Sequence, residues 1–246
     1  MIRILRKIKS YIFDKMRFIK WYLTSKNRSY HNFYIHTIID HIENGHAHPT
    51  LGKKIKDIEK FKETAKIEKQ LLIENGLKTS HLFVDYGCGS LRLGSELISY
   101  LNPNKYIGLD MTDYFINMGK ESLSKELLKE KNPTFKIINS ETISELQTSG
   151  VNFLMSAAVL IHIPESELNQ YFKSIITLIG KDGKAYVDFV KSDRIVKVSQ
   201  STWLYPLEYI GQIINKNNAK YRVIELQESQ KQFYNLGHTI LEITSK

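Results

Sequence analysis

The sequence is poor in cysteine and proline, and it has no long uninterrupted hydrophobic run. Its single cysteine, Cys88, excludes an internal disulfide bond and is typical of a reducing compartment. Five prolines and a hydrophobic content of 42% indicate a folded globular chain, and 246 residues suffice for one α/β domain with a short extension. Because no run of about 18 apolar residues occurs, we expect no transmembrane helix and predict a cytoplasmic protein.

The positive charge of the chain is concentrated at its N-terminus. Of the formal net charge of +9, residues 1–28 carry +8, from nine lysines and arginines and one acid, Asp14. Apolar residues in this segment recur at steps of three and four, as on one face of a helix: Leu5, Ile8, Ile12, Met16, Ile19 and Leu23. We therefore predict a basic amphipathic helix within an N-terminal helical extension that spans residues 1–50.

Three kinds of partner are open for this helix. An anionic membrane, at the inner face of the cytoplasmic membrane, would attract its lysines and arginines at about 1 kcal/mol each. Alternatively, the helix packs on its own domain or on a second subunit and leaves its basic face in solvent. The remaining options are nucleic acid and an organelle-targeting role.

Five of the eight histidines fall between residues 31 and 48, which raises the question of a metal site. His31, His36, His41 and His46 are five residues apart, so each is rotated by about 140° from the last on a helix. They share no helix face, and no cysteine joins them, so we predict no metal site. Pro49, Thr50 and Gly52 then mark a break, after which we place the main domain, residues 51–246.

The main domain begins with a charged amphipathic helix over 53–75, for which Gly76 is the expected C-terminal cap. Strands and helices then alternate, which predicts a parallel sheet covered on both faces. The expected strands lie near 81–86, 105–110, 134–139, 151–156, 184–190, 220–226 and 233–243. The expected helices lie near 90–101, 113–129, 141–147, 165–179 and 204–217. The last two strands are joined by a short connection, so we expect them to pair antiparallel.

The run Phe83-Val84-Asp85-Tyr86-Gly87-Cys88-Gly89-Ser90 is the main functional motif. It predicts a strand that ends in an acid, a glycine turn and the start of a helix; Asp110 ends the second strand. Ligands bind such sheets beyond the carboxyl ends of the strands. Gly87 and Gly89 allow a sharp bend and a close approach of the backbone to a ligand.

A dinucleotide is the obvious rival ligand, but the residues disfavour it. Its fingerprint needs a third glycine where this chain has Arg92. A carboxylate at Asp85 would also repel a pyrophosphate, whereas it favours the ammonium and sulfonium groups of S-adenosylmethionine. A carboxylate at Asp110 can accept hydrogen bonds from the ribose hydroxyls.

Over roughly residues 75–246 the chain resembles the class I S-adenosylmethionine-dependent methyltransferases. Asp85-Tyr86-Gly87-Cys88-Gly89-Ser90 is similar to their first motif and Ile107-Gly108-Leu109-Asp110 to their second. The stretches 153–164 and 178–184 resemble the fourth strand with its loop and the turn before the fifth strand. The resemblance implies a Rossmann-like, mostly parallel seven-stranded sheet with an antiparallel C-terminal strand and helices on both faces. Leu91 and Asn152 depart from the usual pattern.

The resemblance also implies a set of cofactor-binding residues. They are Asp85, Tyr86, Gly87, Gly89, Asp110, Met111, Ser140, Glu141, Ser156 and Ala157. Met111 would lie against the adenine, with Ser140 or Glu141 at its amino edge. Ser156 and Ala157 would line the pocket near the methyl group.

For the acceptor side, His162 is the candidate general base, because it follows the fourth strand and its intrinsic pKa suits proton transfer. Asp188, near the end of the fifth strand, is a weaker candidate that would orient groups. Trp203, Tyr205 and Tyr209 would belong to a helix or lid over the acceptor. The family's motifs for base-amino, cytosine-carbon and protein-arginine methylation are missing after the fourth strand.

The stretch 87–94, with Leu101-Asn102-Pro103 after it, looks more loosely like methyltransferases of bacterial surface-polysaccharide assembly. The leading hypothesis is therefore O-methylation of a glycan, glycolipid or small hydroxyl-bearing acceptor. An RNA methyltransferase that holds phosphates with its basic tail is the alternative. A third possibility is a non-catalytic cofactor-binding subunit that docks through its N-terminal helix.

Overall fold

The computed structural model describes residues 15–16, 18–25, 29–45, 58–231 and 238–246. Residues 18–24 are helical, and they precede nine further helices in the described part of the chain. These are α1 (Tyr30–Glu43), α2 (Ile58–Glu74), α3 (Arg92–Tyr100), α4 (Asp113–Lys120), α5 (Lys125–Lys131), α6 (Ser140–Leu146), α7 (Leu168–Ile179), α8 (Leu207–Lys216) and α9 (Glu228–Lys231). Two 3₁₀ turns, Leu160–His162 and Glu165–Glu167, precede α7.

The strands are β1 (Phe83–Tyr86), β2 (Tyr106–Asp110), β3 (Thr134–Ile137), β4 (Phe153–Ser156), β5 (Lys184–Val190), β6 (Val196–Ser199), β7 (Thr202–Leu204), β8 (Ala219–Val223) and β9 (His238–Ser245). Seven of them form one sheet in the order β3-β2-β1-β4-β5-β9-β8. The first five are parallel, and β9 runs antiparallel between β5 and β8. Strand order reverses between β1 and β4, so the ligand crevice is expected at their carboxyl ends.

Burial on both faces of the sheet explains why its central strands read as continuous apolar runs. All four residues of β1 are buried. Phe83 packs in the cluster beneath α2 and α3, whereas Val84 packs with α7 and α8 on the opposite face. Successive side chains of a strand point to opposite faces, so a strand covered on both sides has no polar alternation. The predicted α/β architecture is confirmed.

Two predicted helices show how capping residues set the ends. Gly76 ends α2 in a left-handed conformation (φ +99°). The Gly76 N–H donates to the Ile73 carbonyl and the Leu77 N–H to the Leu72 carbonyl, which is the Schellman pattern. The single helix predicted over 113–129 is instead two, α4 and α5. The break lies before Ser124, whose hydroxyl accepts the Leu127 N–H as the N-cap of α5.

The C-terminal region matches the prediction in topology and differs in detail. Strands β8 and β9 pair antiparallel, as expected. The connection contains the short helix α9, and residues 232–237, where the last strand was predicted to begin, lie outside the described residues. The small hairpin of β6 and β7 was not predicted. Apolar and polar residues alternate in these two strands, among them valine, lysine, threonine and tryptophan, and this alternation is the sequence signal that could have predicted the hairpin.

The described part of the N-terminal extension packs on the main domain through α1. Ile42 of α1 is buried against Phe115 of α4. The helix at residues 18–24 rests in turn on α1, where Trp21 lies with its ring edge against Phe33 at 5.3 Å between ring centroids. Residues 1–14, which carry half of the predicted amphipathic stripe, lie outside the described residues. Among the helices that the structure describes, none is long and apolar enough to cross a membrane.

Candidate functional site

A cavity of about 770 Å³ opens at the carboxyl ends of β1, β2 and β4. The glycine turn after β1 and the loops after β2 and β4 form its base. Helices α6 and α7 form one wall, and α1 forms another. The volume is in the usual range for cofactor and ligand pockets, roughly 300–1,000 Å³. The structure therefore places the cavity where the strand order predicts a ligand.

The turn after β1 requires its glycines. Gly87 and Gly89 have positive φ angles of 81° and 51°. The N–H groups of Gly87 and Cys88 both donate to the Leu109 carbonyl of β2, at 2.7 and 2.9 Å. A Cβ at position 87 would overlap the side chain of Val159 in the loop after β4. The two glycines thus let the turn fold tightly between neighbouring strands and expose its backbone to the cavity.

Leu91, the departure from the family's third small residue, continues this turn in an unusual conformation. Its φ of 61° lies in the left-handed region, which few side chains adopt. Leu91 is nevertheless buried, in the cluster formed with α3 and α4 neighbours. Burial of the leucine side chain offsets the backbone cost, so the turn keeps its shape without a third glycine.

Asp110 is fixed at the end of β2 by backbone donors. One carboxylate oxygen accepts the Gly89 N–H at 2.7 Å, and the other accepts the Met111 N–H at 2.8 Å. Burial raises the pKa of Asp110 to about 6, and the backbone hydrogen bonds oppose that rise. A carboxylate offers about four acceptor positions, so Asp110 keeps capacity for a ligand at the cavity that it lines.

Asp85 lies beneath the turn and does not line the described cavity wall. Its carboxylate accepts the Tyr106 hydroxyl at 2.8 Å. Burial raises the pKa of Asp85 to about 7, and the neighbouring Arg92 opposes that rise. Arg92 itself forms an ion pair at 2.8 Å with Glu68, which is buried on α2. A cationic ligand above the turn would further favour the charged form of Asp85.

On the adenine side of the predicted cofactor, Met111 and Ser140 line the cavity together with Ile138. Asn139 caps α6, because its side-chain oxygen accepts the Thr142 N–H at 2.8 Å. Glu141 is exposed in the first turn of α6 and lies off the described cavity wall. Of the two residues predicted for the amino edge of the adenine, Ser140 therefore lies on the cavity wall and Glu141 does not.

The loop after β4 brings Ala157 to the cavity, whereas Ser156 is fully buried behind it and receives a hydrogen bond from Tyr171 at 2.8 Å. Ala158 adopts a left-handed conformation with φ of 57°. Its N–H donates to the buried carboxylate of Asp188. The structure therefore places Asp188 off the cavity wall, in a position that fixes the loop.

His162 lines the cavity in the first 3₁₀ turn after β4. Its Nδ1 lies 2.7 Å from the Ser201 carbonyl oxygen. A carbonyl only accepts hydrogen bonds, so Nδ1 carries the proton and Nε2 keeps its lone pair. Burial lowers the pKa of His162, which keeps the ring neutral near pH 7. The geometry is that of a neutral imidazole whose Nε2 atom is a hydrogen-bond acceptor.

Two tyrosines of α1 complete the site, and the sequence analysis did not find them. The Tyr30 hydroxyl donates to the His162 carbonyl at 2.9 Å. The ring of Tyr34 lies 4.9 Å from the ring of His162, between centroids, and both tyrosines line the cavity. Their spacing of four residues on one helix face was the available signal.

The three aromatic residues that were predicted to form a helix or lid over the acceptor lie elsewhere in the structure. Trp203 lies in β7, not in a helix, and its ring receives the edge of Tyr30 at 5.0 Å. The Tyr205 hydroxyl donates to the Ile163 carbonyl at 2.6 Å, and the Tyr209 hydroxyl to Glu165 at 3.1 Å. These residues buttress the loop that carries His162, and none of the three lies on the described cavity wall.

The cavity has the features that S-adenosylmethionine requires. Two buried carboxylates near the turn suit its positive charges, and the turn itself lacks the third glycine of a dinucleotide site. Asp110, Met111 and Ser140 would hold the nucleoside, and the turn at Gly87 and Gly89 would hold the amino-acid portion. The bound cofactor would supply an electrophilic methyl group.

Comparisons with known proteins agree with this geometry. Residues 78–239 match the family described as methyltransferase domain. A magnesium protoporphyrin IX methyltransferase from Synechocystis PCC 6803, crystallised with S-adenosylmethionine, has a TM-score of 0.62 at 16% identity, over 91% of this chain and 100% of that one. An S-adenosylmethionine-dependent methyltransferase from Clostridium acetobutylicum has a TM-score of 0.55 at 12% identity, over 88% of this chain and 99% of that one. No curated protein matches by sequence.

The structural likeness at this low identity establishes the fold, and the family match, which spans about two thirds of the chain, establishes the kind of enzyme. The chain belongs to the methyltransferase domain family and is a class I S-adenosylmethionine-dependent methyltransferase.

Proposed function

We propose that this enzyme methylates a hydroxyl oxygen of a glycan, glycolipid or other small hydroxyl-bearing acceptor, with His162 as the general base. The observation that carries the proposal is the contact of the His162 Nδ1 atom with the Ser201 carbonyl oxygen, at the wall of the cavity. The Ser201 carbonyl holds the proton on Nδ1, and burial lowers the pKa of the ring. A neutral Nε2 at a cavity suits an acceptor that must lose a proton as it is methylated.

Two residues of the chain have different roles in the proposed reaction, His162 in proton transfer and Asp188 in positioning. The bound cofactor would supply the methyl group, and Nε2 of His162 takes the proton that the acceptor hydroxyl loses as its oxygen is methylated. Asp188 acts as a positioning residue, because it holds the Ala158 N–H in the loop that precedes His162. Positioning of the acceptor in line with the methyl group accounts for most of the rate acceleration in such a transfer.

The α1 wall of the cavity supports a sugar-like acceptor. Tyr30 and Tyr34 present aromatic rings with hydroxyl groups beside His162. A sugar ring has apolar C–H faces and a rim of hydroxyls, so it can contact both parts of such a wall. RNA is the second candidate acceptor, and it is favoured by the charge of +8 on residues 1–28.

Transfer of radiolabelled methyl groups from the cofactor to fractionated cell extract identifies the acceptor class. We expect label in a carbohydrate or glycolipid fraction, in a form that resists mild alkali, as a methyl ether does. Alkali-labile label would indicate a methyl ester and would contradict the hydroxyl assignment. Label in RNA would replace the proposal by its alternative. Cofactor binding without transfer in any fraction would favour a non-catalytic subunit.

His162→Gln tests the base directly, and His81→Gln is a matched control at the start of β1. We expect His162→Gln to lower turnover by roughly 10²- to 10⁴-fold. Cofactor affinity, measured by calorimetry, should change little in both variants. Because burial lowers the pKa of His162, the acid limb of wild-type turnover at saturating cofactor should lie at a lower pH than an ordinary histidine would give, and this limb should vanish in His162→Gln. Full turnover in that variant would refute the base assignment.

A further inference from the structure

The helix at residues 18–24 and the two described residues before it expose a row of apolar side chains. Met16, Ile19 and Leu23 are 63%, 49% and 71% exposed. At 100° per residue, Ile19 and Leu23 lie about 40° apart on one face of the 18–24 helix, and Met16 precedes Ile19 by three positions in the sequence. The sequence repeats the same spacing toward the N-terminus with Leu5, Ile8 and Ile12. We call Met16, Ile19 and Leu23 the exposed stripe.

The opposite face of this helix is already occupied. Phe18 and Trp21 contact Phe33 of α1, at 5.0 and 5.3 Å between ring centroids, and Trp21 is buried. On the helix, Phe18 and Trp21 lie roughly opposite the exposed stripe. The stripe therefore points away from the protein, and the packing that fixes the helix leaves it available.

We propose that the exposed stripe binds the surface of an anionic phospholipid membrane. Lys15 and Lys20 flank the stripe and are exposed, and residues 1–28 carry eight of the nine net positive charges of the chain. An apolar stripe with basic flanks is the arrangement of a helix that lies in the membrane interface. Anionic headgroups attract the lysines while the apolar side chains enter the acyl boundary.

The other occupants fit the same surface less well. A second copy of the chain would bring two segments of charge +8 together, and like charges oppose that contact. A nucleic-acid backbone would pair with the lysines and arginines but would leave Ile19 and Leu23 in water. The combination of apolar stripe and basic flanks selects the lipid surface.

The position of the stripe has a consequence for the acceptor, which rests on the proposed function. Helix α1 contacts the 18–24 helix through Phe33 and contacts His162 through Tyr30 and Tyr34. The stripe, the 18–24 helix and the α1 wall of the cavity are therefore connected by direct packing. A membrane bound by the stripe would hold the enzyme beside an acceptor carried on a lipid.

Flotation of the full-length protein with vesicles tests the surface independently of any activity. We expect binding to vesicles of phosphatidylglycerol and phosphatidylcholine, and much weaker binding to phosphatidylcholine alone. The double variant Ile19→Glu/Leu23→Glu should bind roughly 100-fold more weakly, since it loses two buried apolar side chains. Val198→Glu, which changes an exposed valine of β6, should bind as the wild type does.

Cofactor affinity by calorimetry shows that each variant is folded, and it reports on the methyltransferase site separately from the surface. Failure of the wild type to bind anionic vesicles, or equal binding by the double variant, would overturn the proposal even if cofactor binding is intact. A wild-type dimer that the double variant converts to a monomer would assign the stripe to a second copy. Loss of RNA binding with unchanged vesicle binding would assign it to nucleic acid.

Discussion

Asp110→Ala removes the carboxylate that joins the glycine turn to the second strand. In the wild type this group accepts the Gly89 and Met111 N–H groups at 2.7 and 2.8 Å and the Thr112 N–H at 3.4 Å, and Asp110 lines the cavity. Hydrogen bonds to a charged group contribute about 1.5–3 kcal/mol. We expect the variant to bind S-adenosylmethionine more weakly by about 1–3 kcal/mol, roughly a 5- to 150-fold rise in Kd.

Isothermal titration calorimetry measures this change, and Asp113→Asn is the control. Asp113 is an exposed acid in the first turn of α4, so its replacement removes the same charge near the site. A thermodynamic cycle with 2′-deoxy-S-adenosylhomocysteine tests the ribose contact itself. If Asp110 binds the ribose, the loss from the variant and the loss from the deoxy ligand will not add. Unchanged affinity in Asp110→Ala, or fully additive losses, would refute the reasoning.

Three further predictions follow from the same site. Gly87→Ala places a Cβ against Val159 at a φ of +81°, so it should lower the melting temperature and weaken cofactor binding at least tenfold; a variant as stable as the wild type by circular dichroism would contradict this. Burial raises the pKa of Asp85 to about 7 and that of Asp110 to about 6, and a cationic cofactor favours the charged forms of both. Affinity by calorimetry should therefore rise between pH 5.5 and 8, and a flat profile would count against the electrostatic account. Tyr30→Phe removes the hydrogen bond to the His162 carbonyl and should destabilise the fold by about 1 kcal/mol in urea unfolding; a variant as stable as the wild type would show that this bond contributes nothing.

The order and type of most elements followed from local sequence. Apolar runs such as 83–86 and 153–156 identified strands, because a sheet buried on both faces admits few polar side chains. The prediction of one helix over 113–129 was wrong, because a helix cap set the boundary there. Ser124 starts a new helix in the middle of a region whose apolar pattern continues, and periodicity alone does not register such a break.

The cofactor side of the site was also accessible from sequence. Gly87, Gly89 and Asp110 stand at motif positions whose backbone geometry fixes their roles, and the structure brings them to one cavity. Asn152, the departure at the fourth strand, proved structural, since its side chain accepts the Leu82 N–H at 2.8 Å at the start of β1. A single residue type at that position does not reveal such a contact between distant segments.

The sequence by itself determined the fold class, the glycine turn and the acid at the end of the second strand, because these depend on local spacing and backbone conformation. Only the tertiary structure decided that α1 forms a cavity wall, that Asp188 fixes a loop and that Ser201 sets the tautomer of His162. Tyr30 and His162 are 132 positions apart, and their contact depends on how separate elements pack. Side-chain environment, and with it pKa and proton position, is a property of that packing.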